Sequence, residues 1–66
     1  MELLITKHAK EKMIALGISI NDVRKAITEG SKTMQTDGLL ACYAYYCVAY
    51  KVVGEKCHKI KTVYLR

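Results

Sequence analysis

The stretch Leu39–Val53, LLACYAYYCVAYKVV, carries one charged residue, Lys51, among its fifteen positions. Alternate residues of a β-strand point to opposite faces of a sheet, and both faces of this stretch are apolar. A strand of this kind needs cover on both sides, so the stretch predicts the central strand or strands of a small sheet with helices on one face. One long bent strand and two strands broken near Ala44 or Tyr45 both fit the residues.

Two short amphipathic helices are predicted before this stretch. The first covers residues 7–16, from an N-cap at Thr6 to a stop at Gly17. The second begins at an imperfect capping box, Ser19-Ile20-Asn21-Asp22, and stops at Gly30. The apolar stripes predicted to face the sheet are Ala9, Met13, Ile14 and Leu16 in the first helix and Ile20, Val23, Ala26 and Ile27 in the second.

Shorter strand patterns surround these elements. Met1–Ile5 has the length of an edge strand, residues 31–36 alternate like a partly exposed strand, and Cys57–Leu65 forms a last strand. Asp37-Gly38 is typical of a type I′ hairpin turn, and Gly54-Glu55-Lys56 indicates a second turn. The predicted fold class is therefore α+β, with an N-terminal helical hairpin packed on an antiparallel sheet of three to four strands. Residues 1–66 form a single domain.

Composition narrows the partners that the chain can have. A formal net charge of +5 on 66 residues favours an anionic partner, either nucleic acid or an acidic protein segment. A chain this short has little surplus stability, so a dimer or a partner protein is expected to add to it. The apolar stretch is shorter than the roughly 20 residues of a membrane helix and contains Lys51, which argues against a membrane span.

The three cysteines indicate packing rather than chemistry. They cannot all pair within one chain, and no signal-peptide pattern begins the sequence, so a reduced, cytoplasmic protein is expected. Zinc sites usually start from closely spaced cysteines, whereas Cys42 and Cys47 would lie on opposite faces of one strand. Cys57 would likewise point away from His58, which removes a base for a cysteine nucleophile. No metal or cofactor is expected.

Basic residues on the last strand form the main candidate site. Lys59 and Lys61 lie two residues apart, so both project from one sheet face, with Lys51 and Arg66 as expected neighbours. Such a cluster can bind a phosphate and stabilise the charge that develops during its transfer. His8 opens the first helix and can act as acid or base at neutral pH. The competing interpretations are a solvated outer face for the lysines and a backbone hydrogen bond for His8.

Two other nucleic-acid interpretations are weaker. The second helix can be read as the recognition helix of a helix-turn-helix, but its exposed charges nearly cancel, with Asp22 and Glu29 against Arg24 and Lys25. Four of the five tyrosines lie in the most hydrophobic part of the chain, where core packing competes with base stacking. Tyr64, near the end of the last strand, is the exception.

Several short strings in the chain resemble one known group of proteins. The strings are His8-Ala9-Lys10-Glu11-Lys12-Met13, Leu16-Gly17-Ile18-Ser19, Asp22-Val23, Ala26-Ile27 and Thr62-Val63-Tyr64. They resemble a family of short uncharacterised prokaryotic proteins related to the RelE/ParE toxin superfamily. RelE-like relatives cleave mRNA, usually on the ribosome, and ParE-like relatives act on DNA gyrase; both are neutralised by an antitoxin protein. The resemblance implies a helical hairpin packed on an antiparallel sheet.

The resemblance also implies an activity, that of a metal-independent endoribonuclease. In this reaction the RNA 2′-hydroxyl is the nucleophile that attacks the adjacent phosphate. The implied roles are His8 or a lysine as base, Lys59, Lys61 and Arg66 as phosphate clamps, and Tyr64 as the residue that orients the substrate. Family members commonly carry an arginine before the Gly-Ile-Ser turn, where this chain has Leu16.

The expected function is therefore a RelE-like RNA-cleaving protein or a degenerate relative that has lost the activity. The expected partners are RNA or the ribosome, an antitoxin protein, or a second copy of the chain. The alternative function is a non-catalytic module that binds nucleic acid, or that binds an acidic partner or itself through the tyrosine-rich strand.

Overall fold

A computed structural model describes all 66 residues, Met1 to Arg66. In chain order the elements are β1 (Glu2–Ile5), α1 (Lys7–Leu16), α2 (Ile20–Glu29), β2 (Ser31–Gln35), β3 (Gly38–Tyr43), β4 (Tyr46–Val53) and β5 (Cys57–Leu65). The five strands form one sheet in the order β1-β5-β4-β3-β2, and both helices pack on the same face of it.

The α+β class and the helices packed on a sheet are confirmed, but the prediction of an antiparallel sheet of three to four strands is wrong. The sheet has five strands and is mixed, because β1 pairs in parallel with β5. The count exceeds the prediction because the first residues form a full edge strand and the central apolar stretch divides in two. Each helix packs mainly on the sheet, with α1 over β5 and α2 over β3 and β4.

The division of Leu39–Val53 falls at Ala44-Tyr45, which settles the choice between one strand and two. Ala44 is the only non-glycine residue with a positive φ, 54°, and this conformation lets the chain reverse direction within two residues. Strands β3 and β4 pair antiparallel on either side of the turn. Cys42 and Cys47 are consequently direct cross-strand partners on one face, and the prediction of opposite faces is wrong.

Both helices begin at the predicted caps. The Thr6 Oγ1 atom accepts a hydrogen bond from the Ala9 N–H at 3.1 Å, and Gly17 ends α1 in the left-handed conformation, with φ of 71°. In α2, the Ser19 N–H donates to Asp22 Oδ2 at 2.9 Å, and the Asp22 N–H donates to Ser19 Oγ at 3.1 Å. An aspartate therefore completes the capping box that usually contains a longer acidic side chain.

A single hydrophobic core fills the space between the helices and the sheet. Ile14 and Ile20, predicted to face the sheet, are instead 73% and 51% exposed. Ile14 follows Met13 by one residue, or about 100° around the helix, and the sheet covers only a narrow stripe of each helix. The buried core consists of Ala9, Met13, Ile18, Val23, Ala26, Ile27, Ala41, Tyr46, Val48, Tyr50, Ile60 and Val63.

The β2–β3 turn lies one residue earlier than predicted. Thr36 and Asp37 are its two turn residues, and Gly38 already pairs with Gln35. Gly38 has φ of 123°, and a Cβ atom there would collide with the Tyr50 carbonyl oxygen of the neighbouring strand. The glycine is therefore needed for close strand approach, and the shift places Asp37 at the tip of the turn.

A β-bulge interrupts the alternation of β5. Residues 49–50 of β4 oppose Thr62 and Ile60, which leaves Lys61 as the extra residue. Ile60 and Val63 consequently both face the core, although simple alternation would place them on opposite faces. The bulge therefore brings core residues from both sides of Lys61 onto the helical face of the sheet.

Candidate functional site

The sheet face that the helices leave uncovered, called the open face below, is the candidate site. Lys51 follows the buried Tyr50 on β4 and so points to the open face, and Lys59 is the direct cross-strand partner of Lys51. Lys51 Nζ lies 3.0 Å from one carboxylate oxygen of Asp37, and Lys61 Nζ lies 3.7 Å from the other. Three lysines and one aspartate therefore meet on this face.

Asp37 organises the charge of this group. Hydrogen bonding and Coulomb attraction to Lys51, followed by attraction to Lys61, lower the pKa of the Asp37 carboxyl below its usual value. Lys61 Nζ also donates to the main-chain carbonyl oxygen of Asp37. Lys59 forms no ion pair. Asp37 thus holds two ammonium groups close together and offsets part of their charge, while the charge of Lys59 is not offset.

His8 lies at the free edge of β5. Strand β1 pairs with β5 only as far as Ile60, where the Thr6 hydroxyl donates to the Ile60 carbonyl oxygen at 2.9 Å and the chain enters α1. The exposed His8 ring reaches back to the next part of β5, and its Nε2 atom lies 3.1 Å from Thr62 Oγ1. The histidine therefore bonds to a side chain on the sheet edge rather than to the helix backbone.

Tyr64 and Arg66 lie at the other end of β5 from Lys59. Tyr64 is 38% exposed. The Arg66 N–H donates to the Tyr45 carbonyl oxygen at 3.0 Å, and its Nε donates to the Ala44 carbonyl oxygen at 2.8 Å. At about 3.3 Å per residue, the Cα atoms of Lys59 and Arg66 are roughly 20 Å apart, so the two side chains cannot contact the same phosphate.

The predicted site residues form a line rather than a pocket. His8 bonds to Thr62 in the middle of β5 and Tyr64 follows two residues later, whereas the Lys61 side chain extends across β4 to Asp37, away from His8. The two remaining residues lie at the ends of this line. From one end to the other, the order is Lys59, Lys61, His8, Tyr64 and Arg66.

Sequence reasoning missed Asp37 and Thr62 as members of this group. Asp37 was interpreted only as a turn residue, and Thr62 only as a strand residue. One signal was available for Asp37, because a turn at 44–45 fixes the register of β3 against β4 and brings residue 37 beside Lys51. The contact of His8 with Thr62 has no comparable signal, since it depends on where β1 ends against β5.

Comparison with protein-family models matches residues 5–65 to a domain of unknown function, DUF4258. The chain belongs to the DUF4258 family. The match contains both helices and strands β2 to β5, but only the last residue of β1, so most of the described fold is that of a DUF4258 domain. A search of curated proteins and a search of solved structures found no match to the chain.

The cysteines of this DUF4258 domain depart from the sequence interpretation. A disulfide joins Cys42 and Cys47 on the open face, so the prediction that all three cysteines are reduced packing residues is wrong for these two. The prediction was wrong because it assumed one continuous strand, on which residues five apart cannot meet. Cys57 is free and half-buried. No group of three or more His, Cys, Asp or Glu side chains is close enough together to bind a metal ion.

Most of the tyrosine-rich strand of the DUF4258 domain is core. Tyr46 and Tyr50 are each 3% exposed, and the Tyr46 hydroxyl donates to the Asp22 carbonyl oxygen at 2.7 Å. Burial raises the pKa of both hydroxyls above the usual value. These two tyrosines are therefore unavailable to a partner, and the predicted interaction surface on this strand is wrong for them.

The helical side of the DUF4258 domain has a groove of its own. An apolar groove of about 430 Å³ follows the end of α1 and the start of α2, and Lys10 lies at its rim. Its lining includes Met13, Ile18 and the exposed Ile14 and Ile20. Neither ten-residue helix is long and apolar enough to cross a membrane.

Proposed function

We propose that this protein is a cytoplasmic, RelE-like toxin-fold protein that binds the phosphate backbone of RNA on its open face. It acts as, or descends from, a metal-independent endoribonuclease. The observation that carries the proposal is the meeting of Lys51, Lys59 and Lys61 on one uncovered face. Ammonium groups bind phosphates as point charges, and several on one face give an affinity that depends on salt. The sequence resemblance to RelE/ParE relatives supplies the reaction class.

The middle of β5 supports the chemistry of this cleavage. The RNA 2′-hydroxyl attacks the adjacent phosphorus while a base takes its proton, and the 5′-oxygen of the next nucleotide leaves with a proton. His8 suits the base, because its ring is exposed and positioned by Thr62. Tyr64 lies two residues beyond Thr62, where it would orient the phosphate. Lys61 extends toward Asp37, so it would stabilise the charge of the RNA backbone on the β4 side of His8.

The length of the site favours a polynucleotide over a small phosphate ester. Lys59 and Arg66 lie roughly 20 Å apart along β5, so only an extended ligand engages both ends. Single-stranded RNA follows positively charged surfaces with its backbone and exposes its 2′-hydroxyl to a base. The proposed substrate is therefore single-stranded RNA lying along β5, with His8 at the cleaved bond.

The test is cleavage of RNA, free and on ribosomes, in the presence of a metal chelator. We expect products with 2′,3′-cyclic phosphate and 5′-hydroxyl ends, because the 2′-oxygen becomes bonded to the phosphorus. A Lys59→Gln, Lys61→Gln double variant should lose about 10²–10³-fold in rate, the size of one lost charge-stabilising contact. The matched control, Lys10→Gln with Lys25→Gln, removes the same charge from the exposed helical side and should cleave normally.

The outcomes separate the proposed activities. Equal cleavage by the two double variants would exclude the open face as the catalytic site. Absence of cleavage together with salt-dependent RNA binding would support the degenerate relative that has kept binding alone. Absence of both cleavage and binding would refute the nucleic-acid function.

The second candidate function is protein interaction, and the exposed apolar groove favours it. Ile14 and Ile20, 73% and 51% exposed, would be covered by an antitoxin protein or by a second copy of the chain. Sedimentation at several protein and salt concentrations tests the second copy. A dimer that persists at high salt and is lost in an Ile14→Ser, Ile20→Ser variant would support it, and a monomer throughout would exclude it.

A further inference from the structure

The Cys42–Cys47 disulfide lies on the open face, outside the hydrophobic core. Cys42 is half-buried, Cys47 is 2% exposed, and neither belongs to the buried cluster of 12 residues between the helices and the sheet. The bond closes a short loop inside a hairpin that the backbone pairing of β3 and β4 already holds. Reduction therefore leaves the core packing and the hairpin pairing in place.

We propose that Cys42 and Cys47 form a reversible thiol–disulfide exchange site for small-molecule thiols and disulfides. We further propose that its oxidation state controls the order of the Tyr64–Arg66 end of the open face. The two residues are direct cross-strand partners, with Cα atoms 4.0 Å apart. Because the folded strands already hold the sulfurs close together, closing the bond costs little conformational entropy. The pair is therefore expected to react as one unit.

The exchange balances in two steps. The thiolate of Cys42, the more accessible residue, attacks a sulfur of an external disulfide and releases one external thiolate. The Cys47 thiolate then attacks the Cys42 sulfur, which forms the Cys42–Cys47 bond and releases the second external thiolate. Two protein thiols thereby lose two electrons and two protons, and one external disulfide becomes two thiols. Reduction by external thiols follows the same steps in reverse.

The bond is linked to the candidate site by two sets of contacts. Cys47 is the cross-strand partner of Tyr64. The turn at 44–45, which is separated from Cys42 only by Tyr43, supplies both carbonyl oxygens that hold Arg66. Oxidation cross-links the strands on either side of this turn and so restricts its opening. In the reduced protein backbone pairing alone holds the turn, and we expect Arg66 to detach from it more often.

The length of the loop between Cys42 and Cys47 determines how strongly the fold and the disulfide stabilise each other. For a loop of about six residues, the loop-closure relation gives roughly 40-fold, or about 2.2 kcal/mol. Because the disulfide stabilises the fold, the fold stabilises the disulfide by the same factor. The disulfide should therefore form about 40-fold more favourably in the folded chain than in the unfolded chain.

A Cys57→Ser variant leaves only this pair of thiols and makes the test unambiguous. The protein is equilibrated with mixtures of reduced and oxidised glutathione, quenched with acid, alkylated and weighed by mass spectrometry, with and without denaturant. We expect both thiols to disappear in one two-electron transition, and the glutathione ratio at its midpoint to shift about 40-fold on unfolding. A lasting mixed disulfide at Cys42, or equal midpoints with and without denaturant, would overturn the exchange site.

Hydrogen exchange tests the coupling to Arg66. The Arg66 N–H, which donates to the turn, should exchange more slowly in the oxidised protein than in the reduced protein. The Glu2 N–H, which donates to the Lys56 carbonyl oxygen at the opposite end of the sheet, is the internal control and should exchange equally in both. Equal exchange at Arg66 in the two forms would refute the coupling.

RNA binding is measured on the same two forms, and this part alone depends on the proposed function. We expect the oxidised form to bind more tightly, and a Cys42→Ser, Cys47→Ser variant to bind like the reduced form under oxidising conditions. Equal binding by both forms would exclude redox control of the site. If neither form binds RNA, the proposed function fails. Mass spectrometry then still tests the exchange site, and hydrogen exchange still tests its coupling to Arg66.

Discussion

Replacement of Asp37 by asparagine tests the lysine group of the open face most directly. Asparagine keeps the shape of the side chain but removes the charge that Lys51 and Lys61 contact at 3.0 and 3.7 Å. Both ammonium groups then lose their counter-charge and can bind phosphate, and Lys61 keeps its hydrogen bond to the main-chain carbonyl oxygen of residue 37. Each phosphate neutralised on a single strand adds about 0.7 to the slope of log affinity against log salt, so two lysines add up to about 1.4.

The assay is fluorescence anisotropy of a labelled single-stranded RNA at increasing salt. Between about 50 and 200 mM salt, a slope steeper by 1.4 means that the affinity of Asp37→Asn falls roughly sevenfold more than that of the native protein. Tighter binding than native is expected at the low-salt end. The expected change arises at the site itself, because the two lysines that lose their counter-charge lie on the face proposed to bind RNA.

The matched control is Glu55→Gln in the β4–β5 turn, an exposed residue without an ion pair. Both variants change the formal net charge from +5 to +6. We expect the control to leave the salt slope close to native. A native slope for Asp37→Asn would show that Lys51 and Lys61 do not contact the RNA. Equal steepening by both variants would show that net charge, not the open face, governs binding.

Three further predictions concern the fold that carries the site. Tyr46→Phe removes the buried hydrogen bond to the Asp22 carbonyl oxygen and should lower the free energy of unfolding in urea by about 0.5–1.5 kcal/mol. Gly38→Ala combines a φ of 123° with a collision against the Tyr50 carbonyl oxygen, so it should cost roughly 1–3 kcal/mol, and Gly54→Ala, with open space around it, should cost less. Because burial raises the pKa of Tyr46 and Tyr50, the protonated hydroxyls contribute stability that is fully present below the usual value of 10.0 and is lost as pH rises through the raised values.

Each of these predictions can fail in a defined way. A free energy of unfolding of Tyr46→Phe equal to the native value would mean that the Tyr46 hydroxyl bonds equally well to water in the unfolded chain. Equal stability of the two glycine variants would remove the argument from close strand approach at Gly38. Urea midpoints that stay constant as pH rises above about 10 would show that the tyrosine hydroxyls titrate alike in folded and unfolded chains.

The helices could be predicted from the sequence because their signals are local. Thr6 and Ser19 cap the first turns, and Gly17 follows the last residue of α1, so the boundaries needed no tertiary information. Ile14 and Ile20 were placed incorrectly because periodicity shows which side of a helix is apolar, but not how wide a stripe the sheet covers. The class of fold was predictable for the same local reason.

The sheet was less predictable because its pairings join distant residues. Nothing in Glu2–Ile5 indicates that it pairs in parallel with residues 57–60. The turn at 44–45 depends on an alanine with positive φ, which sequence patterns do not anticipate. The disulfide and the ion pairs of Asp37 both follow from that turn, because it fixes which residues face each other across β3 and β4. The lysines could be assigned to one face from their spacing, but identifying their counter-ion required the position of the turn at 44–45.

The pairing of β1 with β5 has a consequence for synthesis on the ribosome. The first strand emerges from the exit tunnel early, yet the residues that it pairs with, Cys57–Ile60, are translated more than fifty positions later. Helix α1 also lacks its packing surface until then, because it packs on β5. Until then Leu3, Ile5 and Met13 lack their final neighbours, and the incomplete chain exposes these apolar groups. Completion of the fold therefore requires the last strand, which lies between β4 and β1.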